Sequence, residues 1–295
     1  MRILLIGADG FLGRNLAAEL SDHELYGASH VLETEGRNFN IDLSKPDSIA
    51  AVLEQSQPEV IVNLAGIVAN NETASLNAVF TTNLLDQLLA TGTHPKRVIV
   101  TGSAAEYGIV KPEELPIPED APVRAENFYA KGKAAETAVA LKYRKEHKLP
   151  VFVARVFNPI GVGMNPRMLI PNVIAQVQAC AAGESKSIEI SRLDSLRDYI
   201  AVRDVALAYK ALIEGEPSHD IYNVGSGVAT SNSDLINLIL DNWGLETRPK
   251  LVETADQPEP LAAAQADISR IKHDLKWSPR STIEQSVKEI CDASK

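Results

Sequence analysis

Short runs of consecutive apolar residues alternate with longer amphipathic stretches along the first half of the chain. The runs cover residues 3–6, 60–64, 97–101 and 151–156. Such runs suit strands buried on both faces of a sheet. Between them, residues 11–20, 48–55, 74–90 and 129–147 repeat apolar positions at helical spacing. Strand and helix in alternation predict an α/β protein: a Rossmann-type, doubly wound parallel sheet with right-handed crossovers. After residue 157 the pattern loosens. Asn158-Pro159-Ile160-Gly161-Val162-Gly163 is rich in turn formers, and Pro166 and Pro171 bracket a link into a helical stretch over 172–182. Pro249, Pro258 and Pro260 predict a loop over 246–261. The expected division is a dinucleotide-binding domain over 1–159 plus about 201–226. A smaller C-terminal α/β substrate lobe takes about 160–200 and 227–295.

The first apolar run ends in Gly7-Ala8-Asp9-Gly10-Phe11-Leu12-Gly13. A glycine pattern in this place, after a strand and opening a helix, can hold a dinucleotide. Gly7 permits a tight turn, Gly10 lets a pyrophosphate approach the backbone, and Gly13 lets helix and sheet sit close. The helix N-terminus at Phe11 and Leu12 presents free N–H groups and a partial positive charge. An ordinary strand-to-helix turn is the competing reading. The second strand, residues 24–28, runs into Ser29-His30 without a carboxylate at its tip. A 2′-phosphate meets no repulsion there, and Ser29 or His30 can bond to it, which leans towards NADP(H) and leaves NAD(H) open. His30 reads equally well as a loop residue. Asp42, in Phe39-Asn40-Ile41-Asp42-Leu43, can accept from an adenine amine or cap the following helix. Leu64, Ala65 and Gly66 end another strand and are expected to line the cofactor's other side.

Much later, Tyr129 and Lys133 stand four apart on a predicted helix and share a face. A tyrosine is a poor acid–base group at neutral pH, and a nearby ammonium favours its ionised form. Ser103 follows the apolar run 97–101 and falls at the carboxyl edge of the sheet, where such folds bind ligands. Its hydroxyl can bond to the substrate oxygen that Tyr129 protonates; a turn or cap residue is the alternative.

Bulk properties narrow the partners. The chain has 295 residues, 45% of them hydrophobic, and a formal net charge of −10. That balance, without a basic run, argues against nucleic acid and membrane surfaces. The opening apolar run is too short for a signal peptide, and no stretch approaches the roughly 18 apolar residues of a membrane span. A cytoplasmic location is expected. Cys180 and Cys291, far apart and without metal-ligand spacing, read as reduced thiols. No metal is expected.

Together these residues resemble the extended short-chain dehydrogenase/reductases that act on nucleotide-activated sugars. The resemblance covers nearly the whole chain. It adds Asn63, Asn83, Arg155-Val156-Phe157-Asn158-Pro159-Ile160-Gly161, Arg197-Asp198-Tyr199, Tyr222-Asn223-Val224-Gly225 and Leu275-Lys276-Trp277-Ser278-Pro279 to the motifs above. It implies that Ser103, Tyr129 and Lys133 are catalytic, with Asn83 and Phe157 beside the cofactor and Ala104 and Asn158 near the substrate. The family's dehydratases usually carry an Asp-Glu pair where this chain has Ala104 and Ala105, so elimination of water is not expected; Glu106 is one place off. Two segments, residues 102–108 and 191–198, are most similar to GDP-4-keto-6-deoxymannose reductases. That similarity implies hydride delivery to C4 of a keto sugar, protonation by Tyr129, and substrate contacts from Arg197 and Arg192. For Arg192 a surface ion pair is an equal alternative. Related reductases carry an Arg-Pro step where this chain has Gln257-Pro258. A 4-epimerase is the second reading. A dinucleotide-sensing regulator is the third, but a sensor has no need of Ser103, Tyr129 and Lys133 together. The family also implies a homodimer joined in a four-helix bundle through helices 74–90 and 129–147.

Overall fold

The consecutive apolar runs become the middle of one sheet. The computed structural model describes residues 1–254 and 263–295. The chain passes through β1 (Arg2–Ile6), α1 (Phe11–Glu19), β2 (Glu24–Ser29), β3 (Asn38–Asn40), α2 (Pro46–Ser56), β4 (Val60–Asn63), α3 (Leu76–Thr91), β5 (Arg97–Ser103), α4 (Phe128–His147) and β6 (Val151–Val156). It continues through β7 (Asn158–Ile160), α5 (Leu169–Ala181), β8 (Ser187–Ile190), β9 (Leu196–Ala201), α6 (Val202–Glu214), β10 (Ile221–Val224), β11 (Ala229–Ser231), α7 (Asn232–Trp243), β12 (Lys250–Glu253), α8 (Ser269–Leu275) and α9 (Ile283–Ser294).

Seven strands form a sheet in the order β10-β6-β5-β4-β1-β2-β3, parallel at every pairing. Both faces are covered, which is why the strands lack polar alternation. One face packs Leu16, Val205, Tyr209 and Leu212 from α1 and α6. The other packs Ile49, Leu53, Leu84, Leu88 and Ala140 from α2, α3 and α4. A separate cluster joins α5, α7 and α9 to β8 and β9 through Val173, Val177, Ile188, Tyr199, Leu235, Ile239 and Val287. Each fully buried aliphatic side chain contributes about 1.5–3 kcal/mol relative to exposure.

The strand order reverses between β1 and β4, and the crevice beyond their carboxyl ends is where such sheets bind ligands. Register brings the expected site residues to that edge: Ile6 pairs with Ala28 and Asn63, and Ser103 with Val156. Among the described residues no helix is long and apolar enough to cross a membrane.

Three local expectations change. Pro171 lies inside the first turn of α5 rather than ahead of it, where its missing N–H costs no helical bond. The loop expected over 246–261 contains a strand, β12, which pairs in parallel with β8. Asp42 lies beyond the short β3, not at the end of a longer strand. Gln257-Pro258 falls outside the described residues.

Candidate active site

The glycine turn is built by close backbone contact. Gly7 has φ +83°, and its N–H donates to the Ala28 carbonyl at 2.7 Å. A Cβ on Gly7 would lie 2.9 Å from the Ala65 nitrogen; one on Gly13 would lie 2.2 Å from the Gly7 oxygen and 2.6 Å from that of Ala8. Only glycine fits either place. Gly10 is the N-cap of α1, and no side chain caps it. The N–H groups opening at Phe11 and Leu12 are thus directed at whatever occupies the crevice. The Phe11 ring lies 3.5 Å from a Cβ placed on Gly161. This cradle fits a dinucleotide pyrophosphate. Beside it a cleft of about 350 Å³ is lined by Ala8, Asp9, Arg14, Gly27, Leu32 and Asn38 among others.

At the tip of β2, Ser29 is buried. Its Oγ accepts the N–H of Val31 at 3.3 Å and of Leu32 at 3.2 Å, so it shapes the turn, while His30 is exposed. Asp42 accepts from the Ser44 N–H and hydroxyl at 2.9 and 2.6 Å and pairs with Lys45 at 3.1 Å. The Ser44 bonds, reinforced by Lys45, hold its carboxyl down at about 2. Asp42 therefore orders the turn before α2, whose N-cap is Lys45 rather than the expected cap. Leu43 is buried, and its carbonyl accepts Asn83 Nδ2 at 2.8 Å. Asn83 thereby ties this turn to α3. Leu64 continues from β4 with its N–H on the Ile6 carbonyl at 2.9 Å. A Cβ on Gly66 would lie 3.8 Å from Lys133 Nζ, so the end of β4 and the α4 lysine share one corner.

Helix α4 starts where Asn127 Oδ1 accepts the Ala130 N–H at 2.8 Å, which fixes Tyr129 in its first turn, half-buried, with Lys133 one turn on. Lys133 is 4% exposed. Its Nζ donates to Glu136 Oε2 at 2.6 Å. Burial opposes its charge, but Glu136 and Tyr129 outweigh that and raise its affinity for a proton. Ser103 is the N-cap of a 3₁₀ turn, Ala104–Tyr107. Its Oγ accepts the Ala105 N–H at 3.2 Å, leaving its own O–H to donate. Ala104 is half-buried on that turn.

Glu106 is fully buried. Oε1 accepts the Ser103 N–H at 2.8 Å and Thr137 Oγ1 at 3.0 Å, and Oε2 accepts Arg155 Nε at 2.9 Å. Burial pushes its carboxyl up, while Arg155 and the Ser103 N–H pull it back. Both oxygens are committed, so Glu106 cannot stand in for the missing dehydratase carboxylates. Arg155 also donates to the Tyr107 hydroxyl at 3.1 Å, which donates to Asn223 Oδ1 at 2.7 Å.

The remaining candidates are distributed more widely. Asn158 donates through Nδ2 to the Asp198 carbonyl at 3.0 Å. Arg197 is half-buried, and burial lowers the proton affinity of its guanidinium; Nη1 donates to the Leu196 carbonyl at 2.9 Å. Arg192 grips Asp194 in a two-point pair, Nε at 2.5 Å and Nη2 at 3.1 Å, which is the ion-pair alternative. Phe157 was expected beside the cofactor; its ring is buried, 6.3 Å from that of Tyr107, in a small core with Val110, Ile117 and Ala266. Asp198, from the same motif as Arg197, is buried. Oδ1 accepts the Ser226 N–H and hydroxyl, each at 2.6 Å. Oδ2 accepts the N–H groups of Gly227 and Ala266, each at 2.9 Å.

Sequence reasoning missed Glu136, Thr81, Asn77 and the role of Glu106. Asn77 clasps Ile67, accepting its N–H at 2.7 Å and donating to its carbonyl at 3.2 Å. Two of these carried a signal: Ser103-Ala104-Ala105-Glu106 has capping-box spacing, and Glu136 follows Lys133 at i+3. Thr81 and Asn77 had none, since their partners are distant in sequence.

The sequence pattern of the NAD dependent epimerase/dehydratase family matches residues 3–225. The chain belongs to that family, and it is an NAD(P)-dependent enzyme of the extended short-chain dehydrogenase/reductase type. Among similar proteins, dTDP-6-deoxy-L-talose 4-dehydrogenase (NAD(P)(+)) of Kitasatospora kifunensis is 28% identical, over 99% of this chain and 95% of its own. GDP-6-deoxy-D-mannose reductase of Pseudomonas aeruginosa is 29% identical, over 98% and 95%. The solved structure of RMD from Pseudomonas aeruginosa complexed with NADPH superposes with a TM-score of 0.86 at 27% identity, covering 100% of this chain and 99% of that one.

Proposed function

We propose that this enzyme reduces the 4-keto group of a nucleotide-activated 6-deoxy sugar, with NADPH as the preferred reductant. The observation that carries the reading is the corner shared by Lys133 and the end of β4, together with an Ala104-Ala105 turn whose one carboxylate, Glu106, is locked to Arg155. That arrangement suits a proton donor and lacks the groups for elimination.

Gly7, Gly10 and Gly13 cradle the pyrophosphate, with Phe11, Leu12, Leu64, Ala65 and Gly66 around it and Asn83 holding the adenine-side turn. When bound, the reduced nicotinamide supplies a hydride to the carbonyl carbon. Tyr129 donates a proton to the carbonyl oxygen. Ser103, its Oγ already accepting from Ala105, donates its hydroxyl hydrogen to that same oxygen. Lys133 stabilises the phenolate left on Tyr129 and reaches the nicotinamide ribose. Asn158 and Arg197 face the sugar nucleotide. The preference for NADPH is supported by the absence of a carboxylate at Ser29-His30 and by Arg14 in the adjoining cleft.

A homodimer through α3 and α4 is part of the proposal. It is supported by the exposed apolar side chains of Leu76, Val79, Leu89 and Phe128 on these helices.

Incubation with NADPH or NADH and a panel of 4-keto nucleotide sugars, following reduced-nicotinamide absorbance, tests the reading. Consumption with one sugar, faster with NADPH, is expected. Tight cofactor binding with no consumption across the panel would overturn it.

A further inference from the structure

The Lys133 ammonium has a partner of its own. Glu136 stands at i+3 on the same helix, with Oε2 at 2.6 Å from Nζ and side-chain exposures of 6% for Lys133 and 2% for Glu136. Glu136 Oε1 accepts the Thr81 hydroxyl from α3 at 2.8 Å, and Thr81 Oγ1 accepts Asn63 Nδ2 at 3.3 Å. The carboxylate is therefore fixed from two sides. Buried ion pairs commonly add nothing to stability over apolar side chains of the same size, so one placed behind a proton donor calls for a functional reason.

Other ionisable groups face the pair from neighbouring elements. Glu106 reaches both Lys133 and Glu136 electrostatically, but Arg155 of β6 is its counterion. Tyr209 of α6 is buried, and burial keeps it neutral. The groups presented by α3 and β4, Thr81, Asn77 and Asn63, carry no charge. Glu136 is thus the anion in direct contact with Lys133.

We infer that Glu136 is a positioning residue: it pins Lys133 Nζ at the end of β4 and keeps the ammonium charged in a desolvated place. The inference rests on reading Tyr129 and Lys133 as the acid–base pair. Reduction needs both groups protonated. Without the carboxylate, a buried ammonium beside a phenol gives up a proton at lower pH. Whichever group releases it, the first deprotonation belongs to the pair.

The test compares Glu136→Gln with wild type across the neutral and alkaline range, reading keto-sugar reduction and NADPH affinity. In E136Q the alkaline limb of both should move to lower pH by about one unit or more, roughly a tenfold loss at a fixed alkaline pH. At the acid end the loss in kcat should be smaller than at the alkaline end. Glu136→Asp, which keeps the charge but is one methylene shorter, should recover part of the shift. NADPH affinity needs no sugar, so this arm stands even if none of the sugars offered is reduced. Should E136Q not fold, Thr81→Val, which removes one bond to the carboxylate, should show a smaller displacement in the same direction. Alkaline limits unmoved in E136Q, or in T81V in its place, would overturn the inference.

Discussion

Glu106 accepts the backbone N–H of Ser103 at 2.8 Å from a fully buried position. The residue that a dehydratase reading would recruit for chemistry is thus the one that holds the candidate substrate-binding hydroxyl in place. Arg155, 3% exposed at its side chain, balances its charge.

Removing that counterion should be severe. Arg155→Met leaves Glu106 buried and unpaired, and a loss of about 3–5 kcal/mol in unfolding free energy is expected. Urea denaturation measures it. A variant within about 1 kcal/mol of wild type would mean that Ser103 and Thr137 satisfy Glu106 by themselves.

Tyr129→Phe removes the proposed donor and little else, because the ring stays in the first turn of α4. Turnover should fall by about 10²–10⁴, with the NADPH dissociation constant changed only a few-fold. Steady-state rates and a fluorescence titration report the two halves. Unchanged turnover would end the proton-transfer assignment.

Gly13→Ala forces a methyl group to within 2.2 Å of one carbonyl oxygen and 2.6 Å of another. Backbone at both positions cannot step aside, so α1 must shift off the sheet. Cofactor affinity should drop about tenfold or more, with stability down by about 1–3 kcal/mol. Binding and melting measured on one sample check both.

Asp274 on α8 gathers Ser218 Oγ at 2.5 Å and His219 Nδ1 and the Tyr222 hydroxyl at 2.7 Å. Burial opposes its charge, but hydrogen bonds from Ser218, His273, Tyr222 and His219 outweigh it and hold the carboxyl far below the usual range. A carboxyl depressed in the folded state stabilises above its unfolded value, about 3.9, and loses that contribution as the pH falls towards the folded value. Asp274→Asn should therefore melt below wild type at neutral pH, with the gap closing below about pH 4. Melting points across an acid series decide it; a constant gap would exclude charge as the cause.

Much of this was legible in the chain itself. Buried parallel strands announce themselves as unbroken apolar runs, and the glycine turn declares its geometry because a Cβ fits nowhere in it. The capping relation of Ser103 to Glu106 and the i+3 step from Lys133 to Glu136 were also readable, being local. The pairing of Arg155 was not: a charge inside Val151–Val156 looks like a flaw until a carboxylate from 49 residues earlier meets it. β12 stayed hidden among prolines because its pairing with β8 is a tertiary fact. Ser29 and Phe157 sit where the motifs put them, yet their side chains are turned to shaping a turn and filling a core.

The carboxylate of Asp198 ties β9 to Ser226, Gly227 and Ala266 at once. The stretch matching the family pattern ends at Gly225, one residue short of the first of those donors. A fragment cut there would lack all four donors to a buried carboxylate, so the recognisable stretch leaves out part of what holds β9 in place. On a ribosome, too, that carboxylate lacks its full set of donors until Ala266 has emerged.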